Sequence, residues 1–208
     1  RLYKANDMVK ADCGGCNGCS RCCHGMGNSI ILDPYDVYRM TTGMGKSMQE
    51  LLAASVELNV VDGVILPNLK MQGTEEACAY LDEEGRCSIH PYRPGICRLF
   101  PLGRYYENGG FSYFLQTGEC AKENRSKIKV SKWIDTPDLT RNQQFTLQWH
   151  DLLHAMEERL TGEDEGKQRE ENLLLLRLFY LLPYEGTIDF YTQFTERMEH
   201  WNGQNGQI

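Results

Sequence analysis

The chain has 208 residues, of which 41% are hydrophobic, and it carries a formal net charge of −7. A chain of this length can bury one ordinary core, or one core with a helical appendage. Its longest apolar run, Leu173 to Leu182, has ten residues and is interrupted by Arg177. Because a membrane-spanning helix needs ~20 apolar residues, we expect no interaction with a membrane.

The charge is spread unevenly along the chain. Residues 1–134 have 16 basic and 15 acidic side chains, whereas residues 135–208 have 6 and 14. An acidic C-terminal part argues against nucleic acid as a partner, because phosphate binding needs a basic face. The polar start RLYKANDMVKADC lacks the apolar stretch of a signal peptide, so we expect a cytoplasmic protein.

The first part of the chain is predicted to consist of short helices and strands separated by turns. Residues 33–34 are Asp-Pro, typical of a helix N-cap and first helical position, and predict a helix through Met40. Ser47 and Glu50 have the spacing of a capping box before a second helix. Asp-Gly at 62–63 and Asn-Gly-Gly at 108–110 each predict a hairpin between two strands.

The second part of the chain is predicted to be helical. An apolar helix is expected from Asn172 to Leu182, ended by Pro183. Residues that recur at helical spacing on either side of it are assigned to core packing: Phe145, Trp149, Leu152, Leu153, Met156, Leu160, Tyr191, Phe194, Met198 and Trp201. We therefore predict an α+β protein with a small cysteine-rich, metal-organised domain at 1–134 and a helical C-terminal extension at 135–208.

All nine cysteines lie before residue 121, and five of them fall in the stretch CGGCNGCSRCC. The five are Cys13, Cys16, Cys19, Cys22 and Cys23. The other four are Cys78, Cys87, Cys97 and Cys120. A Cys-x-x-Cys turn lets two thiolates converge on one metal, and the interspersed glycines permit the positive φ that such turns need.

Three kinds of chemistry are compatible with this density of thiols. A disulfide-stapled domain is disfavoured by the length of the chain and by its odd number of cysteines, which leaves metal binding ahead of thiol redox catalysis. Cysteines at every third position resemble the sequences that hold iron–sulfur clusters more than they resemble zinc sites. Since the adjacent side chains of Cys22 and Cys23 diverge, we expect them to serve different metals or different irons of one cluster.

Two stretches together resemble a known family. They are CNGCSRCC, a CxxCxxCC run, and CSIHPYRPGICRLFP from Cys87 to Pro101, flanked by Cys78 and Cys120. The combination resembles the CxxCxxCC zinc- or iron-chelating domain family, also called the cysteine-cluster or flagellin N-methylase-like family. The resemblance covers residues 13 to about 121, and Cys13 is an addition to the family pattern.

The resemblance implies a bacterial protein with eight metal ligands, which suffice for two four-cysteine sites or for one cluster and one zinc ion. The implied ligands are Cys16, Cys19, Cys22, Cys23, Cys78, Cys87, Cys97 and Cys120. Cys13 and His90 are further candidate ligands. A 4Fe-4S cluster is the favoured cofactor and zinc is the alternative.

Arg93 and Arg98 lie close to Cys97 in the sequence. Their guanidinium groups could donate hydrogen bonds to sulfur around the cofactor and offset the excess negative charge of a four-thiolate site. Anchoring of the loop at the surface is an equally good interpretation of both residues.

Other motifs do not indicate a site. Residues 45–47 are Gly-Lys-Ser, as at the end of a phosphate-binding loop, but the required earlier glycine is replaced by Met40. His150 and His154 stand four residues apart on a helix without an evident third ligand, so we assign them to the helix surface or to packing.

Two functions remain open at this point. The first is a metal-binding module that holds an iron–sulfur cluster or zinc and that transfers electrons or senses redox state. The second, suggested by the family's link to flagellin lysine methylation, is a metal-dependent protein-lysine N-methylase-like enzyme. An aromatic hairpin between Tyr105 and Phe114 could line a pocket for it, although core packing is the better interpretation. A protein partner is left open.

Overall fold

The computed structural model of the protein describes residues 1–14, 19–122 and 124–205. Helices make up 44% and strands 22% of these described residues, which confirms the predicted α+β class with C-terminal helices. The helices are α1 Pro34–Met44, α2 Met48–Ala54, α3 Gly95–Leu99, α4 Val130–Ile134, α5 Leu139–Leu160, α6 Glu165–Leu176 and α7 Phe190–Asn205. The strands are β1 Leu2–Tyr3, β2 Met8–Asp12, β3 Val56–Val61, β4 Val64–Leu69, β5 Met71–Gln72, β6 Ala77–Cys78, β7 Leu102–Glu107, β8 Gly110–Leu115 and β9 Ser126–Lys129.

The chain forms two compact units. Unit 1 contains Arg1–Ile30 and Met71–Gln148, and unit 2 contains Ile31–Lys70 and Trp149–Ile208. Compactness does not test whether a segment folds by itself, so the division into domains 1–134 and 135–208 stays a prediction. None of the helices in the described part of the chain is long and apolar enough to cross a bilayer.

Unit 1 is built on small antiparallel sheets. The largest has the strand order β1-β8-β7, and β2 pairs separately with β9. The predicted hairpin at 108–110 is confirmed as the β7–β8 turn, in which Asn108 and Gly109 both have positive φ. Apolar residues from these strands and from α3 and α4 form one buried cluster: Val9, Ala11, Leu99, Leu102, Tyr113, Val130 and Ile134.

Unit 2 confirms the predicted local signals. Asp33 caps α1 and Ser47 caps α2, each in a complete capping box, and α1 runs one turn beyond the predicted end to Met44. The β3–β4 hairpin turns at residues 62–63, as expected from Asp-Gly. The chain then leaves the helical conformation before Pro183, but a π-helical turn, Arg177–Leu181, follows α6, and the periodicity of the sequence did not indicate it.

The predicted core positions of the C-terminal part are mostly buried. Phe145, Trp149, Leu152, Met156, Leu160, Phe194 and Trp201 have low exposure, and Leu153, Tyr191 and Met198 are half-buried. In unit 2 the ring of Phe179 lies 5.1 Å from that of Trp149 and 5.8 Å from that of Phe194, measured between centroids. The aromatic positions therefore serve packing, as the helical spacing predicted.

Candidate metal centre

The described cysteines all belong to unit 1 and come from several of its elements. Cys13 follows β2, Cys78 ends β6, Cys97 lies in α3, and Cys120 lies in the loop between β8 and β9. Cys22 and Cys23 end a 3-10 turn, Arg21–Cys23. All eight side chains are half-buried. Cys16 lies outside the described residues.

The thiols do not support a disulfide-stapled domain. Six of them are free, and they are Cys19, Cys22, Cys23, Cys78, Cys87 and Cys120. Half-buried thiols in this number would be prone to oxidation unless a metal held them.

Four of the cysteines line one small cavity. The four are Cys13, Cys19, Cys22 and Cys120. The cavity has a volume of about 20 Å³ and is walled by Phe100, Pro101 and Trp133. The Trp133 indole N–H donates to the carbonyl oxygens of Leu99 and Phe100 at 3.3 and 3.2 Å, which fixes the ring against this loop. The cavity thus combines four thiols with an aromatic wall, and Arg21, Glu119 and Lys122 also line it.

Cys23 is placed by backbone pairing with the segment that carries Cys78. His24 and Ala77 form an antiparallel bridge, and the Gly25 amide donates to the Glu76 carbonyl oxygen at 2.9 Å. The bridge therefore brings the segment that follows Cys23 beside the segment that carries Cys78.

A tight turn brings Cys87 back to Cys78. Leu81 donates its N–H to the Cys78 carbonyl oxygen at 2.9 Å and forms an antiparallel bridge with Cys87. Asp82 stabilises the turn, since its Oδ1 accepts the amides of Glu84 and Arg86 at 3.0 and 2.7 Å. The two cysteines therefore flank an acidic turn, residues 82–84.

Each of these two sulfurs accepts a backbone N–H from the residue two positions further on. The donors are Tyr80 for Cys78 and Ile89 for Cys87. Burial raises the pKa of both thiols, and the N–H donors oppose part of that rise because they favour the thiolate. Donors placed in this way help a sulfur ligand to stay ionised and oriented.

Cys22 and Cys23 interact directly through their side chains, so the expectation that these adjacent side chains diverge is wrong. A hydrogen bond from the Cys23 thiol, with a smaller contribution from the charge of Arg93, lowers the pKa of Cys22 to about 6. The same hydrogen bond raises the pKa of Cys23, as do burial and the charges of Cys22, Cys78 and Cys97. Cys23 therefore lies within electrostatic range of three other sulfurs.

The two predicted arginines occupy different environments. The half-buried Arg93 opposes the rise that burial causes in the pKa of Cys87 and adds to the lowering of the pKa of Cys22 by the Cys23 hydrogen bond. Arg98 follows Cys97 in α3 and is only 5% exposed, so it puts a positive charge inside unit 1. Their role around a cofactor stays a prediction, and the interpretation of Arg98 as a surface anchor is disfavoured by its burial.

His90 and the α5 pair are not buried. His90 is exposed, and partial burial together with the charges of Arg93 and Arg86 lowers its pKa. His150 and His154 lie on α5 with ring nitrogens 3.3–3.7 Å from the carboxylates of Asp151, Glu157 and Glu158. This agrees with the assignment of the α5 pair to the helix surface.

The donor set fits a metal that prefers sulfur. Half-buried thiols, N–H donors to sulfur and a neighbouring guanidinium are the surroundings that thiolate ligands need. Among residues 1–14, 19–122 and 124–205, however, no group of three or more His, Cys, Asp or Glu is placed to hold a metal ion. The set of ligands therefore stays a prediction.

Two features of the cavity escaped the sequence analysis. No sequence pattern singled out Trp133 or Phe100. Cys13, an addition to the family pattern, lines the same cavity as Cys19 and Cys120. Its spacing of three residues before Cys16 was the available signal for that position.

A family model described as "CxxCxxCC: Putative zinc- or iron-chelating domain" matches residues 15–130. No curated protein and no solved structure matches the chain.

Proposed function

The chain belongs to the CxxCxxCC family of zinc- or iron-chelating domains, and from that premise we propose that it is a cytoplasmic bacterial protein that holds a 4Fe-4S cluster. The family supports metal binding, since its model covers more than half of the chain. The observation that carries the proposal is that all eight described cysteines lie, half-buried, in unit 1. Thiolate sulfur is the preferred ligand of iron–sulfur clusters and of structural zinc alike.

Iron is favoured over zinc by the spacing of the cysteines. The run from Cys13 to Cys22 has a cysteine at every third position, as in chains that wrap a cluster, whereas zinc sites usually separate two pairs by a longer spacer. When bound, such a cluster exchanges single electrons, which suits electron transfer or redox sensing. Arg93 would offset the negative charge of the thiolates, because its charge already acts on Cys22 and Cys87.

Anaerobic purification followed by analysis of iron, zinc and acid-labile sulfide tests this proposal. We expect a brown protein with equal amounts of iron and sulfide and a broad visible absorption band. A matched variant, Ser20→Ala, changes the same loop without removing sulfur and should keep the metal content. Colourless protein with zinc would refute the iron assignment, and protein without either metal would refute the proposal.

The lysine-methylase hypothesis gains no support from the geometry of the aromatic hairpin. Tyr113 is only 2% exposed and Phe111 packs against the same apolar cluster, so these rings are part of the core of unit 1. Incubation of the metal-loaded protein with labelled S-adenosylmethionine and bacterial lysate tests it. A labelled protein band that depends on the metal would make this the better function.

A further inference from the structure

We infer that the outer edge of β3 is a self-association site, at which β3 of a second copy of this chain pairs in antiparallel orientation. The two β3–β4 hairpins then form one continuous sheet with the strand order β4-β3-β3-β4. The site lies in unit 2, whereas every described cysteine lies in unit 1, so the inference does not depend on the proposed metal binding. An extended segment of a different protein is the competing occupant of the edge.

Two residues of β3 direct their backbone groups away from β4. Leu58 lies opposite Pro67 and Val60 lies opposite Ile65 in the hairpin. Pro67 has no N–H to donate, and the Ile65 N–H donates to Asn172 Oδ1 at 2.6 Å. Both are therefore pairs without hydrogen bonds between the strands, and in such pairs the N–H and C=O groups face outward. The outer edge of β3 thus presents the N–H and C=O groups of Leu58 and Val60.

The two edges of this hairpin have different surroundings. The far edge of β4 is covered, since the Pro67 carbonyl oxygen accepts the Leu32 N–H at 2.9 Å. Over residues 1–14, 19–122 and 124–205, by contrast, β3 pairs with no strand except β4. Within the same ranges the outward groups of Leu58 and Val60 have no hydrogen-bond partner. The edge of β3 is therefore available to a strand from another molecule.

The sequence of β3 lacks the features that normally protect an exposed edge. Such edges carry Lys or Pro, contain a bulge or are very short, because unpaired backbone groups invite pairing with another chain. β3 is six residues long, has the sequence VELNVV and pairs with β4 without a bulge. Leu58 is 43% and Val60 66% exposed, and their side chains share one face because they are two positions apart. These are the properties of an edge that another strand covers.

A second copy fits this edge in one register. When Leu58 of one copy lies opposite Val60 of the other, two-fold symmetry creates the same pair again. Each pair exchanges two backbone hydrogen bonds, which satisfies every outward group of both residues and sets exposed apolar side chains side by side. Glu57, the only charged residue of β3, then faces the uncharged Val61, so like charges are not opposed. A shift that engaged Val56 would have to reach a residue that is 0% exposed.

Sedimentation equilibrium of the full chain, kept reduced so that disulfides cannot link two copies, tests the inference at concentrations up to about 1 mM. We expect a reversible dimer, because two strands of this length cover far less than the ~1,000 Å² of a stable interface. Val60→Lys should weaken dimerisation by about tenfold or more, since it places a charge on the edge. Ile188→Lys alters another exposed residue of unit 2 and should have no effect. Wild-type protein that stays monomeric would refute self-association in favour of a different protein, and equal association of wild type and Val60→Lys, or equal weakening by both variants, would refute the site.

Opposite charges at position 60 test the symmetry of the pairing. In the inferred register the Val60 side chains of the two copies are diagonal neighbours, roughly 7–8 Å apart. An equal mixture of Val60→Lys and Val60→Glu chains should therefore associate more tightly than either variant alone, and added salt should reduce the gain. A mixture that associates no better than its separate components would overturn the register.

Amide hydrogen exchange, resolved by residue with NMR, tests the backbone pairing without relying on variants. The Asn59 and Val61 amides pair with β4 by the same alternation and should be protected at every protein concentration. The Leu58 and Val60 amides should exchange more slowly as the concentration of wild-type protein rises. Dimers in which these two amides continue to exchange rapidly would associate through another surface and would overturn the inference.

Discussion

The two compact units are stabilised by different chemistry. Unit 2 contains long helices whose aromatic side chains pack together, with Phe179 and Tyr180 at most 1% exposed. Unit 1 has short strands, helices α3 and α4 of five residues each, and a buried cluster of seven apolar residues. It also contains every described cysteine. From this contrast we expect hydrophobic burial to suffice for unit 2 and ligation of the proposed metal to add to the stability of unit 1.

Metal removal gives the largest expected difference between the units. Binding of a structural metal contributes on the order of 10 kcal/mol to small domains, since the ions bind only the folded form. We expect a chelator under reducing conditions to abolish amide exchange protection in residues 71–122, with residues 31–60 little changed. Hydrogen exchange with mass spectrometry measures both segments. Unchanged protection in residues 71–122 after complete metal removal would show that unit 1 does not need the metal.

A change in the aromatic core of unit 2 should lower stability without altering the metal content of unit 1. Phe179→Ala removes a fully buried ring and should lower the free energy of unfolding by about 3–5 kcal/mol, with unchanged metal content. Denaturant unfolding and metal analysis measure the two effects. Phe179→Leu, which fills most of the space, serves as the control and should cost clearly less. Loss of metal from Phe179→Ala would contradict the separation of the two kinds of chemistry.

Arg93 tests the electrostatic part of the metal centre. Arg93→Gln should weaken metal affinity by about 10–100-fold, because the positive charge beside Cys22 and Cys87 is lost. Arg93→Lys keeps the charge and should bind metal more tightly than the glutamine variant. Competition with a chromophoric chelator measures the affinities. Equal affinities of wild-type protein and Arg93→Gln would show that Arg93 is only a surface residue.

The smallest expected change in stability comes from a buried side-chain amide in unit 2. Asn172 accepts the Ile65 amide at 2.6 Å and donates to the Gly63 carbonyl oxygen at 3.2 Å, so it ties α6 to the β3–β4 hairpin. Asn172→Ala should lower the free energy of unfolding by about 1–3 kcal/mol, since buried backbone groups lose their partner. The neighbouring exposed change Leu173→Ala should alter stability by at most about 0.5 kcal/mol. Equal effects in denaturant unfolding would refute the role of the amide.

Local signals in the sequence predicted local structure. The capping residues Asp33 and Ser47 and the turn residues at 62–63 and 108–110 determine hydrogen bonds within a few positions of themselves. The sequence did not indicate that residues 31–70 belong to the same compact unit as the C-terminal helices. That association depends on bonds such as the one from the Tyr180 hydroxyl to the Leu32 carbonyl oxygen, which spans 148 positions of the chain.

At the candidate metal centre, too, the sequence did not indicate contacts between distant residues. Cysteine spacing predicted the ligand type and the importance of the N-terminal half, because thiolate chemistry depends on residue type alone. It could not predict which thiols become neighbours. The proximity of the segment after Cys23 to the segment with Cys78 follows from the bridge between His24 and Ala77, and that of Cys13 to Cys120 from a shared cavity. Such contacts join residues that lie far apart in the sequence.

The Trp133 indole at the wall of the cavity provides an intrinsic fluorescence signal for that site. Trp133 lies in unit 1 among the thiols, whereas Trp149 and Trp201 lie in unit 2. An absorbing ion beside Trp133 would quench that indole's emission and leave emission from the other two rings in unit 2. Occupancy of the cavity could then be followed in real time from the unlabelled chain, through the loss of about one of three emitters.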